Sequence, residues 1–428
     1  MTDNFVDSIV NAFAEKMIEE VIDKIKVSSD TIKDFFDNGL KPYLHKQNRK
    51  QSYLKTLLHR QSPVYIYDIY QHLTLYGKKN QNKYQTDNIK NLFDTTNCIT
   101  IIGDAGSGKS TLIKHLFINS ISTNYGIPII VELRHINDCK LSFNEYIQDY
   151  VIRNEISRNK VLFERLLKNG KFIFFLDGFD EVRSDLKFKL VNDMNAFINK
   201  NEKNKYLLTS RPYSNIESMP QFYNFHIAPL GNNDIREFIK KQIQDEELQS
   251  KLIKSINEIR EDYILSFVKN PLLLTLYILT FQSNSQMPNK KYHYYRRVLN
   301  TLFAEHDSIS KIGFERERKA NLIQEQYEDI LKRFCFISFF EQRYSFDYDY
   351  INSKLNEIKS KYPIIIFDNL MFIEDMKMCF SLWIDDSGLL FFTHRSIQEY
   401  FAACYIKSLN EDQKEKVSGI IRGLLGEE

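Results

Sequence analysis

The sequence predicts an α/β protein with a parallel central sheet, preceded and followed by helical regions. Three observations predict this fold class. Between residues 98 and 209, short apolar runs alternate with segments of helical periodicity, as in sheets whose parallel strands are joined by helices. A glycine-rich segment directly follows the first apolar run, and acidic residues directly follow the third. Before residue 38 and after Pro229, helical periodicity dominates instead.

Composition and charge restrict the class of protein. Hydrophobic residues make up 43% and charged residues 27% of the 428 residues, so the chain is expected to fold, with about three domains at roughly 150 residues each. The 58 basic and 56 acidic residues leave a net charge of +2, so nucleic acid is not expected as the main ligand. The five cysteines form no C-x-x-C pair and no signal peptide is evident, which predicts a reducing, cytoplasmic location.

The first 95 residues predict a small helical domain and a linker. Apolar side chains from Phe5 to Ile25 have helical spacing, and packing into a bundle is favoured over contact with a membrane, for which this amphipathic helix is the only candidate. Residues 2–38 hold nine acids, whereas residues 41–60 hold six bases and no acid. This change of sign, across Asn38-Gly39 and Pro42, predicts a helix break. Residues 62–75 predict an extended connector, and residues 78–85 an exposed loop.

The following elements are predicted in chain order. Apolar runs indicate strands at Ile99–Ile102, Ile127–Leu133, Phe172–Leu176 and Tyr206–Thr209. Helices are expected from Lys109, near Phe143–Ile156 and near Leu186–Asn199. Beyond Pro229 helical periodicity continues to about Glu341, and extended runs return at Met378–Trp383 and Leu389–Thr393.

The glycine-rich segment predicts a phosphate-binding loop. It matches G-x-x-x-x-G-K-[ST] between a predicted strand and a predicted helix. Its glycines are expected to allow positive φ, so that backbone N–H groups point at phosphate from a helix N-terminus. Lys109 then supplies charge to the β- and γ-phosphates, and Ser110 is a ligand of Mg²⁺. The predicted nucleotide-binding residues of the loop are Gly103, Asp104, Ala105, Gly106, Ser107, Gly108, Lys109, Ser110 and Thr111.

Acidic residues follow the third strand. Because ligands of open α/β sheets bind at the carboxyl ends of the strands, Asp177 is predicted to hold Mg²⁺ through water. Asp180 or Glu181 is predicted to orient the attacking water, and the sequence does not decide between them. The fourth strand ends in Ser210-Arg211-Pro212, where Arg211 is a candidate for a charge near the γ-phosphate. For that strand end alone, simple capping is an equally good interpretation.

These strand ends together resemble the NACHT family of signal-transduction NTPases, which includes animal inflammasome sensors and bacterial anti-phage proteins. The resemblance rests on the loop Gly103–Thr111, the run ending in Asp-Gly-x-Asp-Glu at Glu181, and Thr-Ser-Arg-Pro at Pro212. It implies an α/β P-loop NTPase fold with an AAA+/STAND-like parallel sheet, a helical N-terminal region, a helical domain and a winged-helix domain.

Two later segments extend the resemblance. Pro271, in Asn-Pro-Leu-Leu-Leu, resembles the helical-domain proline that packs on the adenine, although it also suits the first turn of an ordinary helix. His394, in Phe-Thr-His-Arg-Ser, resembles the winged-helix histidine that binds the β-phosphate of ADP; an isolated histidine is more often a packing or capping residue. The implied domains are 1–95, a helical region with linker; 96–225, NACHT; 226–290, helical; 291–410, winged helix; and 411–428, a short tail.

The resemblance implies a slow, Mg²⁺-dependent ATPase that acts as an ADP/ATP-controlled oligomerisation switch. Its expected partners are further copies of the chain and an unknown phage- or cell-derived trigger, in bacterial innate immunity. A nucleotide-stabilised scaffold without hydrolysis stays open, as does a motor-type ATPase, which the absence of basic enrichment disfavours. About 18 residues follow Asn410, so no repeat array for sensing is expected within this sequence, which leaves open whether it is part of a longer protein.

Overall fold

The structure is a computed structural model of the 428-residue chain. It describes residues 2–24, 28–59, 62–77, 83–94, 96–104, 106–156, 159–211, 219–259, 265, 268–283, 292–293, 295–297, 299–300, 318–363, 366–380, 382–386, 388–392 and 395–425. The chain divides into two compact units. The first comprises Met1–Lys55, Gln61–Ile259 and Val268–Leu272; the second comprises Thr56–Arg60, Arg260–Phe267 and Leu273–Glu428.

The first unit begins with helices α1 (Thr2–Lys24), α2 (Ser29–Phe35) and α3 (Lys41–Ser52). A π-helical turn at Phe36–Leu40 joins α2 to α3, so the predicted helix break at Asn38-Gly39 and Pro42 is wrong. The physical reason is that Pro42 directly follows this π-helical turn, where the hydrogen bonding already departs from the regular α-helical pattern, so the proline is accommodated without ending the helix. Both α1 and α3 pack on the helix that follows the phosphate loop.

A connector leads from α3 to the central sheet. It contains β1 (Tyr53–Leu54), β2 (Val64–Tyr65), α4 (Ile66–Ile69), β3 (Thr74–Gly77), β4 (Lys83–Gln85) and α5 (Lys90–Phe93). The run predicted as extended at 62–75 is therefore interrupted by one helical turn. The loop predicted at 78–85 ends in strand β4, and its residues 78–82 lie outside the described part of the chain.

The central sheet carries the four predicted parallel strands, which are β5 (Cys98–Ile102), β6 (Ile127–Glu132), β7 (Phe172–Asp177) and β8 (Lys205–Ser210). A fifth parallel strand, β9 (Tyr223–Ile227), was not predicted. Within the described residues the sheet has seven strands in the order β4-β3-β9-β5-β8-β7-β6. The five strands from β9 to β6 are parallel, and β3 and β4 extend the β9 edge in antiparallel fashion. The carboxyl ends of β5, β8, β7 and β6 consequently share one edge.

Helices connect and flank these strands. The described helices of this part are α6 (Lys109–Ser122), α7 (Phe143–Arg153), α8 (Lys160–Lys168), α9 (Ser184–Lys200), α10 (Asn232–Gln242) and α11 (Glu246–Asn257). Helix α12 (Pro271–Ser283) begins in the first unit, and its residues from Leu273 onward belong to the second. A 3₁₀ turn, Leu133–Asp138, directly follows β6, and a second, Phe179–Glu181, follows β7 after Gly178. Strand β5 is buried at every residue and β7 at all but its last, as expected of a sheet covered on both faces.

The second unit is mostly helical. It contains α13 (Gln324–Phe340), α14 (Tyr348–Lys361), α15 (Asn369–Glu374), a π-helical turn (Asp375–Cys379), the antiparallel pair β10 (Trp383–Asp386) and β11 (Leu389–Phe392), α16 (Arg395–Ser408) and α17 (Glu411–Leu425). The extended run predicted from Met378 begins only at Trp383, because the π-helical turn occupies its start. Buried Asp375 holds that turn by accepting hydrogen bonds from Ala320 N at 2.8 Å and the Tyr327 hydroxyl at 2.5 Å.

None of the helices in the described part of the chain combines the length and apolar character that crossing a membrane requires.

Candidate nucleotide-binding site

The glycine-rich loop joins β5 to α6 at the carboxyl edge of the sheet. Gly106 and Gly108 have φ values of 75° and 92°, in the left-handed region that glycine adopts at little cost. Gly103 differs from the prediction, because its φ is not positive. It is needed for space instead, since a Cβ there would lie 2.5 Å from Ser107 Oγ. Ala105 lies outside the described residues.

Lys109 begins α6 and folds back over this loop. Its Nζ donates hydrogen bonds to the carbonyl oxygens of Gly103 at 2.6 Å and Asp104 at 3.0 Å. Burial lowers the pKa of Lys109, and nearby carboxylates oppose that effect. The charged groups that act on its pKa are, in decreasing order, Asp180, Arg211, Asp177 and Glu181. The ammonium group therefore lies within the field of all the acidic and basic site residues that the sequence predicted on the neighbouring strand ends.

Asp177, the last residue of β7, has hydroxyl groups from two other elements nearby. The Ser110 hydroxyl of α6 is one of the groups that act to lower its pKa. Thr209 of β8 donates from Oγ1 to Asp177 Oδ1 and accepts a hydrogen bond from Gly178 N at 2.9 Å. Burial raises the pKa of Asp177, and these hydroxyl contacts oppose the shift. The structure thus brings together Ser110 and Asp177, the two residues predicted as Mg²⁺ ligands.

The turn after β7 pairs with the end of β8. Asp180 Oδ2 lies 3.1 Å from Arg211 Nε, and its Oδ1 accepts a hydrogen bond from Arg211 N at 3.2 Å. The phosphate loop is tied to the same strand end, because Gly103 N donates to Ser210 O at 3.2 Å. Pro212 lies outside the described residues.

Glu181, the second acid of the turn, faces a different arginine. Arg134 Nη1 lies 3.6 Å from Glu181 Oε2, and the same guanidinium pairs with Glu132 at the end of β6. Glu132 is the register partner of Asp177 across β6 and β7. The sequence did not single out Arg134 or Glu132, although charged residues directly after a buried strand are a signal that they lie at this edge.

The loop, the acidic strand end and the third strand end thus meet at one edge of a mostly parallel sheet. The family model for the NACHT domain matches residues 97–246, which contain all three. Residues 97–246 are a NACHT domain. NACHT domains are P-loop NTPases, so the chain contains a P-loop NTPase domain with the corresponding α/β fold.

Two solved structures show a weak similarity to the chain. A signal transduction ATPase with numerous domains (STAND) and a tetratricopeptide repeat sensor, from Pyrococcus horikoshii, is 13% identical with a TM-score of 0.39, over 79% of this chain and 44% of that one. A Walker-type ATPase of Pyrococcus abyssi is 13% identical with a TM-score of 0.30, over 72% of this chain and 91% of that one. This chain thus spans less than half the length of the STAND protein. A comparison with curated proteins found no match.

The start of α12 touches the phosphate loop of the NACHT domain. Leu272 N donates hydrogen bonds to Gly106 O at 3.2 Å and to Asn270 Oδ1 at 3.0 Å. A Cβ on Gly106 would lie 2.5 Å from the Cβ of Leu272. Pro271 is the first residue of α12, as its alternative interpretation predicted, and that helix start lies against the loop. His394 lies outside the described residues.

The residues present fit a nucleotide with Mg²⁺. Ser107 Oγ is buried in the loop and has no hydrogen-bond partner among the described residues, which suits a group that contacts phosphate. Within the described residues, no group of three His, Cys, Asp or Glu side chains is arranged to hold a metal. Mg²⁺ in phosphoryl-transfer sites is commonly bound by one or two protein oxygens together with phosphate and water. The Ser110 hydroxyl and the Asp177 carboxylate are such oxygens.

Proposed function

We propose that this chain is an ATPase whose ADP- and ATP-bound states control its assembly into a homo-oligomer. The observation that carries the proposal is the placement of the Ser110 hydroxyl near the Asp177 carboxylate, beside the partly buried ammonium group of Lys109. It unites a phosphate-binding cation and two metal-binding oxygens from separate elements, as Mg²⁺-dependent phosphoryl transfer requires.

Each site residue has a role in this proposal. The loop from Gly103 to Thr111, which includes Lys109, binds the phosphates. Ser110 and Asp177 hold Mg²⁺, and Mg²⁺ when bound would neutralise charge that develops on the transferred phosphoryl group. Asp180 or Glu181 orients the attacking water. Arg211, fixed by Asp180, places positive charge at the end of β8.

The switch itself needs an element that senses the nucleotide. The hydrogen bond from Leu272 N to Gly106 O supports such coupling, because a shift of the phosphate loop would displace the first turn of α12. The proline Pro271 would then pack on the adenine, and His394 of the proposed winged-helix domain would bind ADP phosphate and hold the closed form. ATP would favour an open, assembling form through its different contacts with the two forms.

The cellular role follows from the family resemblance alone. We infer a cytoplasmic protein of bacterial innate immunity that assembles when a phage- or cell-derived trigger binds. Hydrolysis is expected to be slow and to limit the lifetime of the active form.

Three measurements on the purified full chain test the proposal: nucleotide affinity, phosphate release with Mg²⁺, and particle mass with ADP or a non-hydrolysable ATP analogue. Lys109→Ala should abolish binding, whereas Lys240→Ala, which removes an exposed lysine paired with Glu237, should not. Equal nucleotide affinity of the Lys109→Ala and unaltered chains would refute the site. Binding without phosphate release would favour the scaffold alternative.

The switch has its own tests. Assembly should accompany the ATP analogue and be absent with ADP, and His394→Ala should weaken ADP retention and release assembly. A chain that stays monomeric with both nucleotides would refute the oligomerisation switch. Unchanged ADP retention and assembly in His394→Ala would refute the proposed role of that histidine.

A further inference from the structure

The 3₁₀ turn Leu133–Asp138, which follows β6, holds Glu181 at two points. The side-chain amide of Asn137 donates a hydrogen bond to Glu181 O at 2.9 Å, and its Oδ1 accepts one from Arg183 N at 2.9 Å. Arg134 reaches the Glu181 side chain, with 3.6 Å between Nη1 and Oε2. One segment therefore restrains both the backbone and the carboxylate of Glu181.

Arg134 is itself anchored. Its side chain is only 17% exposed, and its guanidinium also pairs with Glu132. Glu132 lies within 4.0 Å of Lys50 Nζ and 3.7 Å of His135 Nε2. Burial acts to raise the pKa of Glu132, but the surrounding cations, Arg134 above all, hold it well below its usual range. Glu132 is thus a fixed negative charge that keeps Arg134 in place, and a pair this shielded is less weakened by salt than a surface pair.

The two acids of the turn differ in how their carboxylates are engaged. Both oxygens of Asp180 contact Arg211, and its side chain is 11% exposed. Glu181 makes a longer contact with Arg134 and is 24% exposed. The carboxylate with more access to solvent is therefore that of Glu181, and Arg134 is a cation that contacts it.

We propose that Arg134 is a positioning residue that aims the Glu181 carboxylate at the attacking water, with Glu132 as the anchor of Arg134. This inference rests on the proposed ATPase function. Arg134 acts through Glu181 and has no contact with substrate in this scheme. Side chains that orient a catalytic acid or base affect turnover more than binding, because the aligned geometry matters most in the transition state.

The test measures kcat and KM for ATP with Mg²⁺ in the full chain. Arg134→Gln should lower kcat by about tenfold or more while KM and nucleotide affinity stay within about twofold. Arg134→Lys should restore part of kcat, since it keeps the charge but loses the guanidinium fork. Arg153→Gln is the matched control, because Arg153 is 63% exposed and pairs with Asp149 on the surface of α7. It should leave both constants unchanged.

A double-mutant comparison separates positioning from a structural role. If Arg134 acts through Glu181, Arg134→Gln has no further effect on kcat in a Glu181→Gln background. The paired variant Glu132→Gln/Arg134→Gln removes both charges together, so neither Glu132 nor Arg134 is left as a charge without the other. It should show the same loss of kcat as Arg134→Gln.

Two results would overturn the inference while leaving the proposed function intact. One is a kcat that is unchanged or increased in Arg134→Gln, in Arg134→Lys and in the double variant Glu132→Gln/Arg134→Gln. The other is an equal fractional loss of kcat from Arg134→Gln in the unaltered chain and in the Glu181→Gln background. Absence of phosphate release from the unaltered chain would overturn the proposed hydrolysis, and this inference with it.

Discussion

Asp180 binds Arg211 through both of its carboxylate oxygens, one to the side-chain Nε at 3.1 Å and one to the backbone N at 3.2 Å. This contact joins the turn after β7 to the end of β8. Both side chains are mostly buried, at 11% and 21% exposure, so solvent screens the pair only in part. The residue predicted as a possible catalytic acid is thus also the anchor of the residue predicted to supply charge.

The Asp180–Arg211 contact is expected to stabilise the domain. Asp180→Ala should lower the free energy of unfolding by about 1–3 kcal/mol, because Arg211 then loses the carboxylate that it contacts. Arg211→Ala should act similarly, and the double variant should lose less than the sum. The exposed pair Arg183–Asp185 is the control, with an expected loss below about 1 kcal/mol for Asp185→Ala. Urea unfolding measures all four, and strict additivity at Asp180 and Arg211 would contradict the contact.

Gly106 is expected to tolerate no side chain. Gly106→Ala should cost about 1–2 kcal/mol for its left-handed backbone alone, and the added Cβ would collide with Leu272. Nucleotide affinity should fall as well, because the loop and the start of α12 must separate. Gly419→Ala is the control: Gly419 is exposed in α17 with open space around it, so alanine should stabilise by about 0.5–1 kcal/mol. Thermal unfolding and nucleotide titration check both, and an unaffected Gly106→Ala would refute the close approach.

The Thr209 hydroxyl is expected to support the metal site. Thr209→Val removes the donor to Asp177 and the acceptor of Gly178 N, which should cost about 1–3 kcal/mol of stability. It should also raise the Mg²⁺ concentration that gives half-maximal phosphate release, since Asp177 loses one of its orienting hydroxyls.

Two other substitutions control the Thr209 experiment. Thr209→Ser keeps the hydroxyl and should give half-maximal phosphate release at the same Mg²⁺ concentration as the unaltered chain. Thr100 lies buried on β5, and its Oγ1 has no hydrogen-bond partner among the described residues. Thr100→Val should therefore be neutral or stabilising, because it removes an unsatisfied polar atom. Equal losses from Thr100→Val and Thr209→Val would argue against a specific role for the Thr209 hydroxyl.

His115 is expected to make stability fall in mild acid. It lies buried in α6, where Nε2 contacts Thr86 O at 2.7 Å and Nδ1 contacts the Tyr67 hydroxyl at 3.2 Å. Burial lowers the pKa of His115 to about 4. Between about pH 6.5 and pH 4 the unfolded chain therefore binds a proton that the folded chain excludes, so stability decreases as the pH falls through that range.

The expected size of this effect follows from the same shift. From pH 7.5 to pH 5 the His115 contribution should fall by about 2 kcal/mol. His115→Gln, which does not titrate and keeps a donor for Thr86 O, should remove that part of the pH dependence. Urea midpoints at the two pH values measure it. An identical pH dependence in His115→Gln would show that His115 is not excluded from protonation by folding.

Local patterns in the sequence predicted most of the fold. The buried strands β5 to β8 are continuous apolar runs, so their pattern alone identified them. Strand β9 was not predicted, because Tyr223–Ile227 mixes polar and apolar residues and lies after a segment without clear periodicity. The antiparallel strands β3 and β4 were not predicted as strands for a related reason, since β3 depends on pairing with β9 and β4 on pairing with β3.

The sequence by itself determined the candidate residues for phosphate and metal binding and the family of the domain. The loop from Gly103 to Thr111, the candidate Ser110 within it and the candidate Asp177 after a buried strand each follow from a short stretch of neighbouring residues. Their roles depend on residue type and local spacing, which a sequence displays directly.

Only the tertiary structure decided how the charged residues pair. Asp180 and Glu181 are adjacent in sequence, yet one binds Arg211 from β8 and the other faces Arg134 from the segment after β6. Those partners are 31 and 47 positions away, and strand order sets their proximity. Electrostatic interactions depend on distance through space and on burial, which are properties of the packed sheet edge and not of any short stretch of sequence.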